Sequence, residues 1–338
     1  MYTLYIDKGF AEGYFALGNS EILQHFDKNI LSQVNKLSIV TNCTEDDLIS
    51  NENISLLFEK LKDSVYDINY IECDFDYNYI WNTSNHGGIV LYLTEAEFKE
   101  QENIIIKKGV EILSLKNIEK KWAAYKKYFI QEWVIDINSN ESNNASFSGH
   151  SDFSFLKSFP MNSIVIQDHY ILQSYQMIKS ILFQILLSFL PNTIGKRLSL
   201  FIISQKILFK EKGKLGPIQK RISDVKSYIN NFFSDKFPGL IVEINIVYYE
   251  GGHNVHLHDR RIYLNYFTIS STAGFEFVGS SSQIESDTEI RIECNFRPFR
   301  KDAILKQFSR IKKYCKKTDH LQGYNTDKLS SPLLKLNI

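Results

Sequence analysis

The sequence predicts an α/β protein in two parts, each built on a mixed sheet. Three observations predict it. Short apolar runs alternate with segments of helical period, an Asn- and Ser-rich stretch interrupts that alternation near the middle, and the charge balance changes sign across the stretch. Through Asp136 the chain holds 13 lysines, no arginine and 22 acidic residues, a balance of −9. The whole chain is neutral, so the remainder carries +9, and all eight arginines fall at or after Arg197. The second part therefore suits a polyanion and the first does not, although mutual attraction of the two halves accounts equally for the asymmetry. A 43% hydrophobic and 23% charged composition excludes wholesale disorder, and 338 residues suffice for two cores.

In the first part, 1–136, the runs "TLYID", "KLSIVTN", "INYIECDF" and "GGIVLYL" read as strands, and 21–34, 54–65 and 94–108 as helices. Thr94, followed by Glu95 and Glu97, suits a capped helix start. Segment 118–134 sets Trp122, Tyr125, Phe129 and Trp133 three or four residues apart, an aromatic stripe expected in a core or interdomain contact. Residues 137–160, opening "INSNESNNASFSGHSD", read as a linker or surface loop.

The second part, 161–317, resumes with "NSIVIQDHYIL" as a strand and 174–189 as a helix. The apolar run "ILFQILLSFL" falls well short of the roughly 20 residues of a bilayer span and stops at Pro191. "RLSLFIISQKILF", "GLIVEINIVYYE", "HDRRIYLNYFTI", "FEFVG" and "EIRIECNF" read as further strands, with helices over 218–233 and 301–317 and a tail over 318–338. The amino terminus has an acidic residue where a signal peptide needs a basic start, so a cytoplasmic location is expected. Cys43, Cys73, Cys294 and Cys315 form no C-x-x-C pair and are expected to be reduced packing residues.

The strongest chemical signal is "HNVHLHDRRIYLNYFTISSTAGFEF", in which His258, Arg260 and Asn265 stand at relative positions 0, 2 and 7. A strand puts residues two apart on one face, where an imidazole and a fixed cation can meet a phosphoryl group. The spacing resembles the H-x-K-x-x-x-x-D signature of the phospholipase D superfamily, with Arg260 for lysine and Asn265 for aspartate. Arginine keeps the charge with a planar fork, whereas asparagine lacks the charge that would orient a histidine. The following "SSTAGF", with Ser270 and Ser271, is similar to the small hydroxyl-bearing residues that members carry after their motif.

The resemblance implies a phospholipase D-like C-terminal part. It further implies a catalytic set of His258, Arg260 and Asn265 acting without metal or cofactor, with His256, Arg261, Ser270 and Ser271 meeting phosphate. "QDHYILQS" places Ile171 two residues after His169, so there is no second H-x-K/R copy there, and catalysis implies a homodimer joining two His258 residues. The "HDR" wording also resembles the phosphoinositide-binding, phospholipase D-like domain of certain MIT-domain proteins, a non-catalytic branch. Members in prokaryotes are often nucleases or parts of defence systems. Three plainer readings remain: a half-buried strand whose polar face holds His256 and His258, an ion pair of Asp259 with Arg260 or Arg261, and a metal cluster of His253, His256 and His258.

The last helix has a packed face of Ile304, Leu305, Phe308, Ile311 and Tyr314. Its cations Arg300, Lys301, Arg310, Lys312, Lys313, Lys316 and Lys317 are expected outward, toward DNA or RNA before a membrane surface. The leading expectation is a phosphate-polymer-binding protein with a degenerate phospholipase D-like domain and an acidic half that engages a protein partner. The alternatives are a metal-independent dimeric phosphodiesterase and a protein scaffold.

Overall fold

The computed structural model describes residues 2–32, 37–61, 65–73, 75, 89–95, 97, 109–130, 133–137, 150–172, 178, 185–190, 197–205, 210–211, 214–215, 218–249, 260–272, 275 and 288–317. They form an α/β protein with two principal sheets. The chain divides into two compact units. Met1–Gln131 with Cys294–Gln307 makes the first, and Glu132–Glu293 with the segment that begins at Phe308 makes the second.

In the first unit, β1 (Tyr2–Ile6), β2 (Leu37–Thr41), β3 (Val65–Tyr70), β4 (Ile89–Thr94) and β5 (Val110–Ser114) lie in the order β3-β2-β1-β4-β5. Every pairing is parallel, so the mixed sheet expected of this part is corrected to a parallel one. Val90, Leu91, Tyr92 and Leu93 are all buried, the continuous apolar strand that a parallel sheet covered on both faces requires. Among the described residues the unit also holds helices α1 (Lys8–Gly13), α2 (Glu21–Phe26), α3 (Glu45–Ser50), α4 (Glu52–Leu61) and α5 (Ile118–Ile130).

Local chemistry explains these elements. The Leu23 amide donates to Ser20 Oγ (3.2 Å) at the start of α2, which buries Leu23 and Phe26 and runs into a π-helical turn, Asp27–Leu31. Ile54, Leu57, Phe58 and Leu61 form the buried stripe of α4. Thr94 starts no helix: it ends β4, and its Oγ1 donates to Asp7 Oδ2 (3.4 Å), while 98–108 lie outside the described residues. β5 escapes a reading by apolar runs because Glu111 interrupts it. Glu111 is buried, with Lys121 Nζ donating to Oε1 (3.0 Å) and the Tyr125 hydroxyl to Oε2 (2.8 Å). Burial pushes its carboxyl up and the Lys121 ammonium down.

Helix α5 stops at Ile130, and Trp133 opens a strand of the other sheet. The helical part of the aromatic stripe is core: Trp122 and Tyr125 are buried, Trp122 meets Phe26 at 5.0 Å between centroids, and Phe296 meets Trp122 at 5.4 Å and Tyr125 at 5.1 Å. Phe296 thereby ties Cys294–Gln307 into the first unit.

The second unit holds β6 (Trp133–Ile137), β7 (Ser163–Gln167), β8 (Arg197–Gln205), β9 (Lys210–Glu211), β10 (Lys214–Leu215), β11 (Ile241–Tyr249), β12 (Arg260–Leu264), β13 (Phe267–Ser271) and β14 (Thr288–Cys294). Its seven-stranded sheet runs β11-β8-β7-β12-β13-β14-β6, and β9 pairs with β10 separately. This sheet is mixed as expected: β7, β8 and β11 are parallel, β12 is antiparallel to β7 and β13, and β14 is antiparallel to β6. Helix α6 covers Ile218–Lys236, and α7 covers Pro298–Lys317.

Part of the stretch expected to be a linker is structured. A 3-10 helix, His150–Ser158, buries Phe153 and Leu156, and Phe159 follows buried, a three-residue spacing that matches the period of that helix. Cys43, Cys73 and Cys294 are free thiols, with Cys43 and Cys294 buried. Among the described residues no helix is long and apolar enough to cross a membrane.

Leu156→Ala is expected to cost about 2–5 kcal/mol in urea unfolding, the range for a buried leucine that leaves a cavity. A change within experimental error would mean that His150–Ser158 behaves as a linker after all.

Candidate functional site

The site is built from a hairpin. "HDRRIYLNYFTI" does not form the single strand expected; β12 and β13 fold back on each other through Asn265 and Tyr266, in the register Arg260↔Ser271 and Ile262↔Ile269. Asn265, 1% exposed, locks the turn to the start of β7. Its Oδ1 accepts the amides of Asn162 (3.1 Å) and Ser163 (3.2 Å), and its Nδ2 donates to Asn162 Oδ1 (2.9 Å). Asn265 therefore serves the backbone. It stands at the opposite end of β12 from Arg260, roughly 15 Å away for five residues of extended chain.

The register of neighbouring strands sorts the face on which Arg260 lies. Ile246, Ile202, Ile166, Ile262 and Ile269 form one row across β11, β8, β7, β12 and β13, all buried. Two residues toward the carboxyl ends of the parallel strands, the corresponding row turns polar. Tyr248 pairs with Ser204, and Arg260 with Ser271. Continuing the Gln167↔Ile203 and Arg261↔Gln167 pairings by one residue puts Asp168 between Ser204 and Arg260. The row is extended from Ser271, whose Oγ lies 3.0 Å from Thr288 Oγ1. Side chains in one row share a face, so five apolar residues back a line of polar ones.

The turn after β7 is fixed by hydrogen bonds. The Asp168 amide donates to the Ile203 carbonyl (3.0 Å), Ser204 Oγ to the His169 carbonyl (3.1 Å), and Arg221 Nε to the Leu172 carbonyl (3.0 Å). Asp168 Oδ1 accepts the Tyr170 amide (2.8 Å), an Asx turn, while buried Oδ2 has no hydrogen-bond partner. Burial raises the Asp168 carboxyl above the usual aspartate range, opposed by the backbone amides of Tyr170 and Ile171 and by the Arg260 charge. The Arg260 guanidinium lies 5.4 Å from the centroid of Tyr170, and the His169 ring meets Tyr170 edge-on at 4.7 Å. No carboxylate of the described residues lies within ion-pair distance of Arg260, whose Asp168 neighbour acts through space.

Of the residues expected to form a site, Arg260 and Ser271 meet in the polar row. Arg261 and Ser270 pair with each other one residue further along, half-buried and on the other face. His253, His256, His258 and Asp259 lie outside the described residues. In α7, Phe308 and Ile311 are buried, Ile304 and Leu305 half-buried, and Gln307 joins the buried side; Phe308 packs against Tyr263 at 5.1 Å. Lys306, Arg310 and Lys313 face outward and Arg300 is half-buried, while the side chains of Lys301, Lys312, Tyr314, Lys316 and Lys317 lie outside the described residues. Among the described residues no group of three His, Cys, Asp or Glu side chains is arranged to hold a metal.

Sequence reasoning passed over Asp168, His169 and Tyr170 because a search for a second H-x-K/R copy fails at Ile171. The available signal was a charged pair directly ending an apolar strand, "SIVIQDH". The parallel sheet of the first unit has its own strand-order reversal beside β1 and β4, a usual ligand position in such sheets. Its polar groups there are mutually engaged. Asp7 Oδ2 accepts the Glu95 amide (3.1 Å), the Lys8 amide donates to Asn42 Oδ1 (2.8 Å), and Lys8 Nζ pairs with Asp47 (2.7 Å). Lys8 and the Thr44 capping contacts hold the Asp47 carboxyl down at about 2. The chain matches no family model, and no curated protein matches it.

Asn265→Ala would strand two backbone amides and is expected to destabilise the protein by about 2–4 kcal/mol, read from urea midpoints. An unchanged midpoint would remove Asn265 as the clamp. A second expectation concerns pH. A carboxyl raised in the folded state adds stability below the unfolded value and loses it as pH rises through the folded one. Asp168→Asn should therefore gain stability relative to the parent as pH rises above about 4, the ordinary aspartate value. Arg260→Gln, lacking the cation that favours the carboxylate, should fall more steeply than the parent over the same rise in pH. Parallel pH profiles for all three proteins would contradict the assignment.

Proposed function

We propose that this chain binds a phosphate-bearing polymer, DNA or RNA, through the Arg260 edge of the second sheet. The observation that carries the reading is the placement of Arg260: a guanidinium without a carboxylate partner among the described residues, at the end of a hydrogen-bonded polar row backed by buried isoleucines. A planar fork held in that way grips phosphate oxygens, and fixed hydroxyls such as Ser271 add donors. The exposed cations Lys306, Arg310 and Lys313 of α7 supply further sequence-independent attraction. The phospholipase D-like spacing of His258 and Arg260 supports the same ligand chemistry, and a role in prokaryotic defence follows from that resemblance. The acidic first part engages a protein partner in this reading.

One observation favours a second reading, metal-independent phosphodiester hydrolysis by a dimer. Asp168, its carboxyl raised by burial, stands beside Arg260 as a candidate proton donor to a leaving group, with His258 as nucleophile.

Fluorescence anisotropy of labelled DNA and RNA, titrated over several salt concentrations with chelator present, tests both. Binding should weaken steeply with salt, and Arg260→Ala should lower the salt slope by about 1, the loss of one phosphate contact. Replacing Lys306, Arg310 and Lys313 together should lower it by up to about 3 on the same basis. Absence of binding at low salt would overturn the proposal. Cleavage in chelator that vanishes in His258→Ala would establish the second reading.

A further inference from the structure

We infer that the polymer is single-stranded, and that Tyr170 with Arg260 forms a platform on which an unpaired base stacks. The inference rests on the nucleic-acid reading above and adds the strand state of the ligand. A duplex presents phosphates to cations and keeps its base faces inside the stack, so an aromatic ring contributes little to holding it. A single strand offers both phosphates and open base faces, and its binders combine cations with aromatic rings.

The Arg260 edge has that combination. Tyr170 is 36% exposed, although the turn that carries it begins in a polar row whose members Ser204, Asp168 and Ser271 are buried. Its backbone is held by the Asx turn to Asp168 Oδ1 and by the Ser204 bond to the preceding carbonyl, and its ring is braced edge-on by His169. The ring is thus exposed without being loose. Arg260 Cζ sits 5.4 Å from the ring centroid, a cation against an aromatic surface. With the guanidinium engaged in this way, its N–H groups remain available for phosphate oxygens, and the uncovered aromatic surface remains available to a base.

A second observation points to a ligand at the same place. Asp168 is 1% exposed, and its Oδ2 lacks a hydrogen-bond partner while its charge acts on Arg260. A buried carboxylate oxygen left in this way is costly unless the neighbouring cation is held close, so Asp168 acts as a positioning residue for Arg260. Strand register brings the parts together: β12 enters the sheet at Arg260, beside the point where the chain leaves β7 toward Tyr170.

The test compares labelled oligothymidine, oligouridine and a mixed-sequence duplex of equal length by anisotropy, using the full chain with chelator present. Single strands should bind at least about tenfold tighter than the duplex, and Tyr170→Ala should weaken them about tenfold, the scale of one lost base stack. The salt slope should stay unchanged in Tyr170→Ala, because no phosphate contact is removed, and duplex binding should not move. Tyr170→Phe should bind like the parent, and Tyr170→Leu like the alanine variant; thermal midpoints of all three confirm that they fold. Equal binding of duplex and single strands, or a leucine variant that binds single strands like the parent, would overturn the inference and leave the nucleic-acid reading standing. No binding of any polymer at low salt would overturn both.

Discussion

The second sheet depends on the clamp between Asn265 and the start of β7. One side chain accepts two backbone amides and donates to Asn162, so the hairpin turn and the first residue of β7 are held at one fixed offset. Strand register is a parity constraint: a slip of one residue turns every side chain to the opposite face. At the observed offset, Ile166, Ile262 and Ile269 share a buried row, and Arg260 shares the polar row with Asp168 and Ser271. A slip of β12 against β7 would bury an arginine among isoleucines, at a desolvation cost no surface contact repays. The clamp and the isoleucine row specify the same register by independent means, which makes a single native pairing dominant.

Two buried carboxyls, Glu111 of the first unit and Asp168 of the second, are bonded in contrasting ways. In the first, Glu111 is buried with both oxygens engaged by Lys121 and Tyr125, and the polar groups at the ends of β1 and β4 bond to one another. Such closed networks rigidify a core and leave little for a ligand. In the second, Asp168 uses one oxygen and leaves the other without a hydrogen bond, and its nearby cation faces an exposed ring. Glu111 and Asp168 therefore differ in how fully their buried carboxyl oxygens are hydrogen-bonded.

Legibility in the sequence followed the range of the interaction. Strands and helices with a strong local period were readable: β4 from "GGIVLYL", α4 from its four-residue apolar stripe, α6 from its long amphipathic run. Elements governed by distant partners were not. β5 hides behind Glu111, whose burial is acceptable only because Lys121 and Tyr125 of α5 reach it. Helix α5 was extended through Trp133 because a four-residue aromatic spacing continues there, yet that residue pairs through its backbone with Ile292 of β14. The 3-10 helix carried its signal, Phe153, Leu156 and Phe159 every third residue, inside a stretch whose Asn and Ser content dominated the reading.

The candidate site shows why a linear motif groups its residues differently from the fold. Spacing joined Arg260 to Asn265 because they are five positions apart in one run, but the turn at Asn265 puts them at opposite ends of a strand. The fold joins Arg260 instead to Asp168, which precedes β8 and α6 in the chain, and to Ser271, which follows the turn. Those associations depend on which strands are neighbours and at what offset, and no local window contains that information. The chemistry that results also differs in kind. A carboxylate following a histidine on the same strand would serve to orient that histidine. A buried carboxyl just past the end of the adjacent strand instead acts through space on the cation at the sheet end.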